Sequence, residues 1–179
     1  KRDRWRGVAE AMTAMTASPN GLSLSNTIEL VVAGTLDVGT CAFLVLDETV
    51  DRIVFETSRW LHHPKHPPSD FNAFKSWLST CPEPVVIEDS RTVDWPDIIH
   101  QVPNMRCPAL IVQAQVDPAL YVILIGFGRS IEQNFTDEII EVSRALTAHA
   151  GLAVRHVLRE ENARREVTGR TALYQVGKR

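Results

Sequence analysis

Several features are scarce in these 179 residues. There are only three cysteines, Cys41, Cys81 and Cys107, with no C-x-x-C pair, and the odd number leaves at least one unpaired. That argues against a disulfide-built or zinc-built domain and fits reduced thiols in a cytoplasmic protein. Long apolar runs are missing. The longest, Ala119–Ile125, has seven residues, whereas a membrane-spanning helix needs about 20. No signal peptide is visible. No G-x-S-x-G, G-x-x-x-x-G-K or H-E-x-x-H occurs, so common hydrolase, phosphate-loop and zinc-protease signatures are missing. No solenoid or propeller period appears either.

What is present is ordinary globular material, 44% hydrophobic and 23% charged, enough to bury a core and of a length suited to one domain. The net charge of −3 averages two kinds of segment. Residues 1–10 carry four basic and two acidic side chains, and residues 155–179 carry seven and three. Between them, residues 11–154 carry eight basic and seventeen acidic side chains. An acidic body with basic ends is a poor nucleic-acid surface, and its ends suit helical connectors. The first residue is Lys1, the expectation for a piece of a longer protein.

Apolar spacing predicts the elements. Trp5, Val8, Met12 and Met15 recur at 3, 4, 3, a helical stripe that the break at residues 18–21 ends. A second helix carries Leu24, Ile28, Val31 and Thr35, with Ser23 or Ser25 as its cap and Gly39 as its end. Two apolar strands, at 41–46 and 52–60, flank the turn at 47–51. The segment 62–68, with Pro64, Pro67 and Pro68, suits neither helix nor interior strand. Phe71, Phe74, Trp77 and Leu78 predict a helix, 85–87 a short strand and 95–102 a short helix. Residues 109–116 and 120–127 predict a hairpin around Asp117 and Pro118.

The last helix is the plainest. Thr136 caps it, and Asp137 and Glu138 suit its first turn. Ile139, Val142, Leu146, Ala150, Ala153 and Val157 form one apolar row. Ile140, Thr147, Gly151, Val154 and Leu158 form a second, which needs another element or a partner chain. Gly169 is expected to interrupt the helix. The fold class is therefore α+β, a mainly antiparallel sheet of about five to six strands, helices on one face, and long terminal helices.

Four stretches carry a family resemblance: CAFLVLD at 41–47, PVVIEDSR at 84–91, residues 106–113, and LIGF at 124–127 followed by NFTDE at 134–138. Their joint order resembles a GAF domain, a small-molecule-sensing module of bacterial signalling proteins. The likeness covers residues 22–158, leaving 1–21 as an N-terminal signalling or dimerisation helix and 159–179 as a helical linker toward a following module. Asp117, Pro118 and Ala119 stand where the family often has a glycine-rich turn, and Tyr121 where it often has glycine.

The resemblance implies a ligand cavity between the sheet and the crossover helices. Phe43, Trp60, Trp77, Asp89, Trp95, Gln113 and Tyr121 are its expected lining. The doubled apolar surface on 139–158 and the Trp5, Val8, Met12, Met15 stripe add the expectation of a homodimer that works on an output domain of the same polypeptide. The expected dimer contacts are Trp5, Val8, Met12, Met15, Ile140, Val154 and Leu158. No cofactor, metal, membrane or nucleic-acid partner follows from the residues, and no catalysis. His62, His63 and His66 sit around Pro64, which prevents helical i, i+4 ligation, and no carboxylate or cysteine lies at ligand spacing. Two alternatives remain open: a GAF-fold enzyme with thiol chemistry of the methionine sulfoxide reductase type, and a dimerisation or spacer module that binds nothing.

Overall fold

The structure is a computed structural model, and it describes residues 2–49, 52–57, 69–81, 83–93, 95 and 107–176. Two helices come first, α1 (Arg2–Thr16) and α2 (Gly21–Leu36). In α1 the residues Val8, Ala11 and Met15 are buried. The carboxamide of Asn20 accepts from the Ser23 N–H at 2.9 Å and caps α2. Asn20, rather than Ser23 or Ser25, is therefore the cap, because its extended backbone aims its side chain at the first free N–H groups. The buried row of α2 is Leu24, Ile28, Val32 and Leu36. Asp37 ends this helix, not Gly39: it takes the left-handed conformation at φ 55°, and the Val38 N–H reaches back to the Ala33 carbonyl at 3.1 Å.

Five strands form one antiparallel sheet: β1 (Thr40–Asp47), β2 (Arg52–Glu56), β3 (Val85–Ile87), β4 (Ala109–Gln115) and β5 (Leu120–Phe127). Their order is β2-β1-β5-β4-β3. Helix α3 (Ser69–Thr80) precedes β3, and α4 (Asp137–Val176) follows β5. The expected strand at 52–60 stops at Glu56. Residues 58–68, with Trp60, His62, His63 and His66, lie outside the described residues, as does the expected helix at 95–102 except Trp95.

Both faces of the sheet are covered, so Cys41–Leu46 are buried without alternation. Cys41, Phe43, Val45, Leu110, Val112, Val122 and Leu124 point toward α1, α2 and α4. Ala42, Leu44, Leu46, Ile111, Ile123, Ile125 and Phe127 point toward Leu78 of α3. Three of the four described helices thus share one face, and α3 takes the other.

Helix α4 comes close to the sheet at Gly151. A Cβ there would sit 2.5 Å from Val116 Cγ2 and 2.6 Å from Val122 Cγ2. This contact explains the second apolar row. Thr147, Gly151 and Val154 are buried within the chain, as are Leu146, Ala150 and Val157 of the first row. The flank of α4 that the sheet does not cover packs against α1 and α2. His149 Nε2 ties α4 to the end of α1, 3.0 Å from the Met12 carbonyl and 3.1 Å from Thr16 Oγ1. Beyond the sheet the helix continues through Gly169 without a break, contrary to the expected interruption, since one glycine costs only about 1 kcal/mol in a helix interior. Residues 162–168 are exposed on every side.

Candidate functional site

A cavity of about 190 Å³ lies between the sheet and α3, lined by Leu46, Glu48, Lys75, Leu78, Ser79, Gln113 and Tyr121. The β4–β5 register assembles its floor. Gln115 pairs with Tyr121 and Gln113 with Ile123, so Gln113 and Tyr121 are diagonal neighbours on the α3 face. The Tyr121 hydroxyl donates to Gln113 Oε1. Gln113 is only 8% exposed, and that is the one hydrogen bond its side chain makes among the described residues. Burial, then the nearby Glu83 and Glu48 carboxylates, pushes the Tyr121 phenol above its ordinary pKa, with Lys75 opposing. The hydroxyl is therefore protonated at neutral pH and free to donate.

Glu48 and Lys75 bring opposite charges to the same cavity. Glu48 follows β1 and Lys75 stands on α3, with Lys75 Nζ 2.8 Å from Glu48 Oε1. The pair is partly exposed, at 50% and 38% for the two side chains, so water weakens it and a ligand can replace it at small cost. The cavity thus offers an apolar wall at Leu46 and Leu78, a buried amide, a phenol, and one charge of each sign.

Beside the cavity lies an aromatic cluster. Trp77 of α3 and Trp95 are 5.7 Å apart between ring centroids, and Trp95 is 5.7 Å from Phe127. The Trp95 indole donates to the Ser90 carbonyl at 2.6 Å. These rings support α3 on the sheet and do not line the cavity. Trp77 and Trp95, expected to line the cavity, thus stand beside it, and two further expected lining residues stand elsewhere. Phe43 lies on the opposite face, edge-on to Phe55 at 6.3 Å, because it shares parity with Cys41 and Val45. Asp89 accepts from the Arg91 backbone and guanidinium at 2.7 to 3.1 Å, holding the turn after β3. Leu46, Glu48, Lys75, Leu78 and Ser79 were not anticipated. The opposite charges of Glu48 and Lys75 were the available signal, but only the sheet register brings them together.

The expected dimer contacts also divide. Val8, Met15 and Val154 are buried in this chain's own core, so they are not available to a partner. Met12, Ile140 and Leu158 are partly buried against that core. Trp5 is exposed, as are Leu22 and Leu30 on α2. Of the thiols, Cys41 is pushed up to about 12, chiefly by burial and secondarily by Glu29, so it stays protonated. Cys107 is buried, and Cys81 is half-buried with its Sγ 3.4 Å from the Trp77 carbonyl. Among the described residues, no group of three or more His, Cys, Asp or Glu side chains is placed to hold a metal ion. No described helix is long and apolar enough to cross a membrane.

No protein-family profile matches the chain, and no curated protein matches it in sequence. Solved structures do match in fold. The GAF domain of a phosphoenolpyruvate-protein phosphotransferase from Coxiella burnetii aligns at a TM-score of 0.63 and 13% identity, covering 89% of this chain and 96% of that one. The corresponding Acinetobacter GAF domain aligns at 0.59 and 13%, with the same coverage. A bacteriophytochrome from the photosynthetic bacterium R. palustris aligns at 0.60 and 11%, covering 98% of this chain and 41% of that one. With its antiparallel sheet held between α3 and the layer of terminal helices, this chain has the fold of the GAF domains.

Proposed function

We propose that this chain is the regulatory GAF domain of a bacterial, cytoplasmic signalling protein. It binds a small molecule between its sheet and α3 and controls an output domain of the same polypeptide through α4. The domain performs no chemistry itself. The observation that carries this reading is the cavity of about 190 Å³, with the nearly buried Gln113 amide and the Tyr121 hydroxyl on its floor and the replaceable Glu48–Lys75 pair beside them. That volume is below the roughly 300–1,000 Å³ of usual small-ligand sites, so the ligand is a small metabolite. The exposed Trp5, Leu22 and Leu30 support pairing of two chains through the α1–α2 layer.

A thermal-shift screen of small metabolites tests the sensing role. A ligand at 100 times its Kd adds about 2.7 kcal/mol, a rise of roughly 5–10 °C for a domain of this size. The rise should vanish in Gln113→Leu and shrink in Lys75→Ala. If no metabolite in the screen loses its stabilising effect in these variants, binding lies elsewhere and the reading fails. For the pairing, Leu30→Glu should convert a dimer to a monomer by light scattering; a wild-type monomer at high micromolar concentration removes that part.

A further inference from the structure

A second cavity, of about 470 Å³, lies between the β1–β2 hairpin, the β4–β5 turn and α4, on the other face of the sheet from α3. Four arginines line it: Arg52 from β2, and Arg155, Arg159 and Arg165 from α4. Three acids line it too, Asp47, Asp117 and Glu161, and one oxygen of each accepts from a backbone N–H. Asp47 stands directly across the hairpin from Arg52, yet its carboxylate turns back to accept from the Thr49 N–H at 2.8 Å and the Thr49 hydroxyl at 2.5 Å. Asp117 accepts from the N–H groups of Ala119 and Leu120 at 2.8 and 2.9 Å, and its other oxygen meets Arg155 at 3.7 Å. Glu161 accepts from the Gly21 N–H at 3.3 Å. Among the described residues, Arg52, Arg159 and Arg165 have no acidic partner.

Three uncommitted guanidiniums from two elements therefore surround one concave space. Arg155 and Arg159 are one helical turn apart, where like charges repel. Guanidinium forks match phosphate oxygens in pairs, better than an ammonium does. The volume falls in the usual range for small-ligand sites, roughly 300–1,000 Å³. Val54 and Leu158, both on the α4 side of the sheet, add an apolar wall that a flat base can cover. We propose that this cavity binds a small phosphate-bearing anion of the nucleoside di- or triphosphate class. It is separate from the sensing cavity and stands or falls without it. The bound anion bridges Arg52 on the hairpin to Arg159 and Arg165 on α4, and so fastens the outgoing helix to the sheet edge.

Calorimetric titration of the 179-residue chain with ATP and with inorganic pyrophosphate tests the site. Both should bind at low salt, ATP more tightly, and both should weaken as salt rises. The double variant Arg52→Gln/Arg159→Gln should bind each at least tenfold more weakly, while Arg144→Gln, exposed on α4 outside the cavity, should match the wild type. All these side chains are exposed, so unfolding midpoints should hold; Arg159→Gln alone gives a second reading if the double variant does not fold. No heat from either anion at millimolar concentration, or equal affinities in the wild type and the arginine variants, overturns the proposal. Binding of a poly-glutamate peptide without binding of pyrophosphate also overturns it, and would point to an acidic protein segment instead.

Discussion

Three helical glycines should respond in opposite directions to the same added methyl group. At Gly7 and Gly34 a new Cβ would meet nothing within 4 Å. There Gly→Ala brings only the helix-propensity gain, about 0.5–1 kcal/mol. At Gly151 the same Cβ would overlap Val116 and Val122, at 2.5 and 2.6 Å. Val122 is fully buried in the core, and its branched side chain has no free end to swing away. Helix and sheet must part by about 1 Å to restore ordinary carbon contact near 3.5–4.0 Å. Overpacking of this kind costs roughly 1–3 kcal/mol net. Set against a propensity gain of about 1 kcal/mol, Gly151→Ala should lose on the order of 1 kcal/mol. At about 2–4 °C per kcal/mol for this chain length, Gly7→Ala and Gly151→Ala should separate by roughly 4–8 °C in Tm. Thermal unfolding followed by circular dichroism, with urea titration as a second measure, reads the difference. If Gly151→Ala melts as high as Gly7→Ala, the helix does not approach the sheet as described.

Other expected outcomes follow from single contacts. Asn20→Ala removes the α2 cap and should cost about 1 kcal/mol, whereas Asn20→Asp should cost little; an equal loss in both would assign the effect to something other than the cap. Cys41, raised to about 12 by burial, should resist alkylation at pH 8 while the half-buried Cys81 reacts, as read by mass spectrometry of the folded chain. The same shift predicts a pH effect. The unfolded thiol ionises near 9 and the folded one near 12, so this contribution is intact below pH 9 and is lost as pH rises through that window, by up to about 1.4 kcal/mol per unit. Unfolding midpoints that decline equally in Cys41→Ala would refute that assignment.

Much of the fold was legible because its elements announce themselves locally. Asp137 and Glu138 after Thr136, followed by the apolar row from Ile139, placed the start of α4. The turn at Asp117 and Pro118 placed the β4–β5 hairpin. The sites were less legible because they depend on parity and on which surfaces other elements cover. With β1 buried on both faces, nothing in its sequence says whether Phe43 or Leu44 looks toward α3. Gln113 and Tyr121 were readable as polar interruptions in apolar strands. Lys75 and Glu48 meet only because α3 crosses that end of the sheet. The second row of α4 looked spare for a similar reason: the sheet and the α1–α2 pair fill both of its sides, which spacing alone does not reveal.

The close seat of α4 also limits how that helix can move. Rotation about its own axis by one residue would bring Ala150 or Leu152 to the place of Gly151, against Val116 and Val122. Sliding by a turn would bring up Thr147 or Arg155. Neither fits a space that has no room for a methyl group. Rocking about Gly151 needs no such substitution, so the glycine acts as a fulcrum. Val176 lies 25 residues further along the helix, a lever of about 38 Å at 1.5 Å per residue. A tilt of about 5° at the fulcrum would carry its far end through about 3 Å on that geometry. The close seat at Gly151 therefore opposes a twist or a stroke of α4 and leaves a sideways swing.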